Sequence, residues 1–401
     1  MRMKKTLILA ASALALTVAA PQAMAAKAKK IKIGFVTTLS GGAGVIGKDM
    51  RNSVRIALDH LGDKMGGIPV EVLFEDDQVK PEIGKQKTEK LLHKDKVDIM
   101  SGYIWSHVAL ASRNSVVKAG KFLIISNAGT SKIAGRLCHK NIFSTSWQND
   151  QVPMALGEVL NKRGVKSVYI VAPNYAAGRD MVAGFERTFK GKVLGKDLTK
   201  WPSQLDFSAE LAKARASKAD GVFIFFPGRA TNAFMRQYAQ AGLTKTPLYT
   251  VFSVDSLSLP KLQQAKLTNV LGTYSTQFWS PDLDTPVSKR FVADYRKKFG
   301  SYPSHYGAQS YDSIMLIDSA VRAVNGDLKK MDAMRAAFRK ANYGSVRGKY
   351  VYGNNHFPIQ DFYLRQVVAD ANGNWTTKIS QKVYSDHQDV YHSKCKMKKT
   401  W

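Results

Sequence analysis

The sequence predicts an α/β protein built as two doubly wound lobes. Two observations carry this. Short apolar runs alternate with amphipathic helical stretches in two successive series, and 401 residues exceed what a single hydrophobic core organises comfortably.

The N-terminus reads MRMKKTLILAASALALTVAAPQAMA. Arg2, Lys4 and Lys5 precede an apolar stretch, Leu7 to Ala20, and Ala23-Met24-Ala25 offers the small-x-small pattern of a cleavage site. Residues 1–25 are therefore expected to be a signal peptide. The apolar run is short for a span of roughly 20 residues, and no later stretch reaches that length, so the exported chain is expected to be soluble.

The first series opens with the apolar run IKIGFVT and a helix over Ile46 to Leu61, where Val54, Ala57, Leu58 and Leu61 share a face. VEVLFED precedes a helix from Lys80 to His93, VDIMSG a helix from His107 to Lys118, and KFLIISNAG closes the series. In the second, a helix over 151–162 leads to SVYIVAP, a helix from Tyr175 to Phe189 and the strand GKVLGKDL. A helix over Phe207 to Ala216 follows, then GVFIFFP, a helix from Thr231 to Ala241, and PLYTVFS. VLGTYSTQF and two further helical stretches, over 286–299 and 308–324, complete the pattern. Strand–helix–strand at this spacing means parallel sheets covered by helices.

The segment GGAGVIGKD after the first strand mimics a phosphate-binding loop, but Asp49 stands where a magnesium-binding hydroxyl belongs. Its glycines instead permit a tight turn at the edge of a cleft, where Ser40 and the amides of Gly41 and its neighbours can touch a ligand.

The formal charge of +29 would suit a nucleic-acid partner. The lysines are dispersed, however, and no nucleic-acid-binding motif accompanies them, so none is expected. The eight histidines and two cysteines show no metal-ligand spacing, and no cofactor is expected. In an oxidising compartment Cys138 and Cys395 form either a disulfide, the favoured reading, or two free thiols. No nucleophile elbow, HExxH or activated cysteine is present, so an enzyme is not expected.

Ordered blocks carry a family resemblance. IKIGFVTTLSGGAGVIGKDMRNSVRIALDHL, VEVLFEDDQVKPEIGKQKTEKLL, KFLIISNAG and FVADYRKKFGSYPSHYGAQSYDSIMLI together resemble the branched-chain-amino-acid-binding branch of periplasmic solute-binding proteins that feed ABC importers. The resemblance implies two Rossmann-like lobes joined by a three-segment hinge, the type I periplasmic binding protein fold. It places lobe 1 at 30–146 plus 278–347, lobe 2 at 147–277 plus 348–385, and a C-terminal tail at 386–401. Crossings are expected near 144–149, 274–280 and 345–353, and the protein is expected to act as a monomer with ABC permease subunits as partners.

Ligands of open α/β sheets bind beyond the carboxyl ends of the strands. In lobe 1 those ends carry Tyr103, Trp105, Ser106, Asn127, Ala128, Gly129 and Thr130. The resemblance assigns Ser106 and Ala128 to Thr130 to a ligand carboxylate; helix capping is the alternative. Trp105 reads as an exposed stacking wall or as core. Lobe 2 offers Tyr175, Gly228, Phe252 and Asp255. Relatives place an acid for an ammonium group near Asp255, but the pattern is displaced here, and Asp255 is equally readable as a helix cap. His305, Tyr306 and Gln309 can reach the cleft mouth, although a surface histidine is the simpler reading. Aromatic surface without a well-placed acid favours an aromatic or similar small organic carboxylate. A branched-chain amino acid, or a ligand-sensing receptor role, is the alternative.

Overall fold

A computed structural model describes residues 30–398; the expected signal peptide lies outside them. The first series folds as β1 (Ile31–Thr37), α1 (Gly44–Leu61), β2 (Lys64–Met65), β3 (Ile68–Asp76), α2 (Pro81–Glu89), β4 (Ile99–Gly102), α3 (Ser106–Lys118), β5 (Phe122–Ile125), α4 (Ser131–Ala134) and β6 (Ile142–Ser144). Its sheet runs β2-β3-β1-β4-β5-β6. All its neighbours are parallel except the β2–β3 pair. Strands β4, β5 and β6 are wholly buried, which is why they read as unbroken apolar runs.

The second series comprises α5 (Gln151–Lys162), β7 (Ser167–Pro173), α6 (Ala176–Thr188), β8 (Lys192–Thr199), α7 (Ser208–Ala216), β9 (Gly221–Ile224), α8 (Arg229–Gln240), β10 (Leu248–Val251), α9 (Leu259–Gln264) and β11 (Tyr274–Gln277). The chain then returns to the first lobe through α10 (Pro286–Phe299), α11 (His305–Ala323) and α12 (Met331–Lys340). It ends in the second with β12 (Val351–Tyr352), β13 (Pro358–Ala369) and β14 (Trp375–His387). The second sheet runs β12-β13-β11-β10-β9-β7-β8, with β14 beyond β13.

The plain doubly wound plan needs one amendment. Strands β12 to β14 are antiparallel additions, and their charged residues, Asp361, Arg365 and Lys382 among them, hide the alternation in the sequence. Helix α11 also begins a turn earlier than its apolar spacing suggests. Ser304 caps it by accepting the Tyr306 amide at 3.1 Å.

One arginine ties the 145–146 segment and α11 to the chain at 347. Arg347 donates through Nη1 to Ser146 O at 2.9 Å and through Nη2 to Thr145 O, while Nε meets Asp312 Oδ2 at 3.0 Å. Cys138 and Cys395 are bonded, with Cα atoms 5.7 Å apart, inside the usual disulfide range. The C-terminal segment is thereby tied to the loop that follows α4.

Candidate ligand-binding cleft

The carboxyl ends of β1, β4 and β5 face those of β7, β9 and β10 across the gap between lobes. There a cavity of about 110 Å³ is lined from the first lobe by Gly41, Gly42, Val45, Ile46 and Tyr306, and from the second by residues of the 228–232 and 252–261 segments. It approaches the size of the ~150 Å³ cavity that admits benzene in a protein core.

Four of the residues expected at the site line this cavity: Gly41, Gly228, Phe252 and Asp255. Gly41 and Gly228 both adopt positive φ, 64° and 68°, which glycine tolerates without strain. Gly42 leaves room for the Arg229 side chain, whose Nε would stand 3.0 Å from a Cβ at that position. Ser40 is exposed at the rim and hydrogen bonds Asp76.

Phe252 occupies left-handed backbone at φ 55°, an outlier for a bulky residue. Its ring stacks on Trp147 at 4.5 Å and tilts over His305 at 5.2 Å. His305 is buried rather than on the surface. Burial, reinforced by Arg365, holds its imidazole well below the usual range, so it is neutral. Both its ring nitrogens, Trp147 Nε1 and Gln309 Oε1 lack hydrogen-bond partners among the described residues. Unpaired buried polar atoms are costly, and here they cluster behind the cleft wall.

Asp255 has two faces. Oδ1 accepts the amides of Leu257 at 2.9 Å and Ser258 at 3.3 Å, forming a capping turn ahead of α9. Oδ2 lies 3.6 Å from His305 Nδ1, beyond hydrogen-bonding distance. Burial raises its pKa to about 6 against the lowering by those amides and Arg365. Arg229 and Lys261, both exposed, stand at the cleft mouth.

Several expectations change. Tyr103 does not face the cleft: it is fully buried in the first lobe, its hydroxyl 2.7 Å from Thr88 Oγ1. Trp105 is not exposed; its indole donates to Thr38 Oγ1 at 2.6 Å. Its ring packs across the interlobe seam, 5.1 Å from Trp201 and 6.2 Å from Tyr175. Tyr175 precedes α6 and stacks on Trp201 at 4.8 Å. Asn127 is committed to structure, donating to Ile104 O at 2.6 Å and accepting from Gln309 Nε2.

Ser106 opens α3, but its hydroxyl accepts from Asn149 Nδ2 at 3.1 Å. Ala128 N donates to Tyr103 O at 3.0 Å, Gly129 O accepts the Asn149 amide at 2.7 Å, and Thr130 caps α4. This group lies together on the seam beside the 145–150 crossing, apart from the lined cavity. Trp147, Asn149, Asp180, Trp201 and Arg365 complete the cleft region and carry no local sign of it in the sequence. Only contact across the fold places them there.

Two α/β lobes closing on a ligand-sized aromatic cleft define a type I solute-binding protein of the kind that serves ABC importers. The chain belongs to the periplasmic binding protein family, which matches residues 30–374. A Leu/Ile/Val-binding protein homolog of Brucella abortus is 28% identical over 378 residues, covering 91% of this chain and 94% of the relative. A Rhodopseudomonas palustris solute-binding protein, solved in complex with benzoate, superposes with a TM-score of 0.85 at 29% identity. That match covers 92% of this chain and all of the other. A second, from strain BisB5 of that species, in complex with 3,4-dihydroxybenzoic acid, gives 0.81 at 25% identity, covering 90% and 99%. Among the described residues no helix is long and apolar enough to cross a membrane.

Proposed function

We propose that this chain is the extracytoplasmic substrate-binding component of an ABC importer. It captures a small aromatic carboxylate between two closing lobes and presents it to the permease. The observation that carries the ligand class is the cleft's chemistry. Phe252 and Tyr306 supply flat apolar wall, and Arg229 and Lys261 supply positive charge at the mouth. The one acid on the wall, Asp255, has one carboxylate oxygen committed to its own backbone and the other beside neutral His305. The benzoate and dihydroxybenzoate bound by the two Rhodopseudomonas relatives support the same class.

The lobes comprise residues 30–146 with 278–347, and 147–277 with 348–385, with the crossings acting as a hinge. The protein is exported through the 1–25 leader, works as a monomer and carries out no catalysis. The site combines the cavity residues with the seam residues Trp105, Ser106, Ala128, Gly129, Thr130 and Tyr175.

A branched-chain amino acid is the second reading, favoured by Asp255 Oδ2, which is free to meet an ammonium group, and by the Leu/Ile/Val-binding relative. A thermal-shift and calorimetric panel of benzoate, 4-hydroxybenzoate, cinnamate, leucine and valine separates the two. A ligand at 100 times its Kd adds about 2.7 kcal/mol of stability. Stabilisation by the aromatic acids alone is expected; stabilisation by leucine or valine alone overturns the ligand assignment.

A further inference from the structure

Asp180 lies on α6 of the second lobe, one turn beyond Tyr175, yet its carboxylate is held by Ser131 of the first lobe together with Asn149 of the first crossing. Oδ2 accepts the Ser131 amide at 3.0 Å and Asn149 Nδ2 at 3.0 Å, and Oδ1 accepts the Ser131 hydroxyl at 2.8 Å. The same Asn149 amide reaches Ser106 Oγ at 3.1 Å, and its backbone N–H donates to Gly129 O at 2.7 Å. One carboxylate thus joins the start of α4, the first crossing and, through Asn149, the start of α3. The rings of Tyr175 and Trp201 meet His107 and Trp105 along the same seam, so the contact belongs to the closed arrangement of the lobes.

We propose that Asp180 is a positioning residue for ligand capture, an interlobe latch that secures the 128–131 loop and Asn149 as the lobes close. This rests on the two-lobe capture reading. With the lobes apart, water serves the Ser131 N–H and hydroxyl, the Asn149 amide and the carboxylate. With the lobes together Asn149 is buried and Ser131 and Asp180 are half-buried, so these groups lose much of their water and rely on one another. Removal of the carboxylate therefore penalises the closed state alone, and the loss falls on ligand escape rather than on encounter.

The test measures association and dissociation rates by stopped-flow tryptophan fluorescence, with benzoate and leucine as probes. The latch is indifferent to which of them is captured, so a failure of the aromatic-acid assignment leaves the experiment readable. Asp180→Ala removes the acceptor. Ser131→Pro removes both Ser131 donors from the other side of the seam, at a first-turn helix position that accommodates proline. Each variant is expected to raise koff about tenfold and to leave kon and the melting temperature of the ligand-free protein unchanged. The double variant should be no worse than Asp180→Ala alone, because the two Ser131 hydrogen bonds that Ser131→Pro removes are already lost with the carboxylate. An unchanged koff in both single variants overturns the proposal and leaves the ligand assignment intact. So do additive losses accompanied by a lower ligand-free melting temperature, which mark Asp180 as an ordinary structural residue.

Discussion

Gly129 has no room for a side chain. A Cβ there would lie 2.3 Å from Trp147 O and 3.0 Å from Asn149 N, both backbone atoms of the first crossing. Gly129→Ala must push the crossing away from the loop, and overpacking of this kind costs about 1–3 kcal/mol. A lower melting temperature with weakened ligand binding is expected; an unchanged protein would show that the crossing yields freely. Arg229 acts differently, because it is exposed at the cleft mouth and packs over Gly42. Arg229→Gln should leave stability alone and slow benzoate association by about threefold at low ionic strength, less at high. An association rate independent of both residue and salt would remove Arg229 from steering. At this scale the sequence shows that Gly41, Gly228, Phe252 and Asp255 stand at strand ends, but nothing local separates them from Tyr103, which turns inward to Thr88.

One buried carboxyl group of α1, Asp49, ties that helix to α10 and to the start of α11. Asp49 accepts the Tyr295 hydroxyl at 2.7 Å and the Ser304 hydroxyl at 2.6 Å, and so fixes the start of α11 from which His305 and Tyr306 reach the cleft. Burial raises its pKa to about 7 despite those hydrogen bonds. A carboxyl that keeps its proton to a higher pH when folded than when unfolded makes the folded state the greater proton binder. Stability therefore falls as pH rises from about 4, the usual carboxylate value, to about 7, by at most about 1.4 kcal/mol for each pH unit. Asp49→Asn is uncharged throughout and should flatten that part of the profile. Melting temperatures of the two proteins between pH 5 and 8 check this, and parallel curves would refute it. The residue that spoils the resemblance to a phosphate loop thus has a packing task that the loop pattern gives no hint of.

Across the whole molecule, the Cys138–Cys395 bond closes a loop of 257 residues in sequence separation. The chain-entropy account puts its worth at about 5 kcal/mol or somewhat more, an upper figure because measured effects follow loop length weakly. Cys138→Ser should lower the melting temperature by several degrees while leaving ligand affinity nearly unchanged, since the bond lies away from the cleft cavity. Equal melting temperatures for oxidised and reduced protein would contradict this. Small-angle scattering addresses the hinge. Ligand should compact the molecule, and identical profiles with and without it would rule out lobe closure.

The sequence by itself left Cys138 and Cys395 open between a bond and two thiols, and it determined the two α/β series, most helix spans and the strand ends where a ligand can bind. These follow from periodicity and from short apolar runs, which are local properties of the chain. Only the tertiary structure decided that β12 to β14 extend the second sheet, because β13 bonds β11 and itself pairs with β12 and β14, satisfying strands whose charged residues mask their alternation. Only it decided that Trp105 and Trp201 meet across the seam, that His305 is buried and neutral, and that Asp180 of one lobe is held by Ser131 and Asn149. Those facts depend on how two separately wound lobes lie against each other. Contact between residues far apart in the chain leaves no periodic trace in either segment.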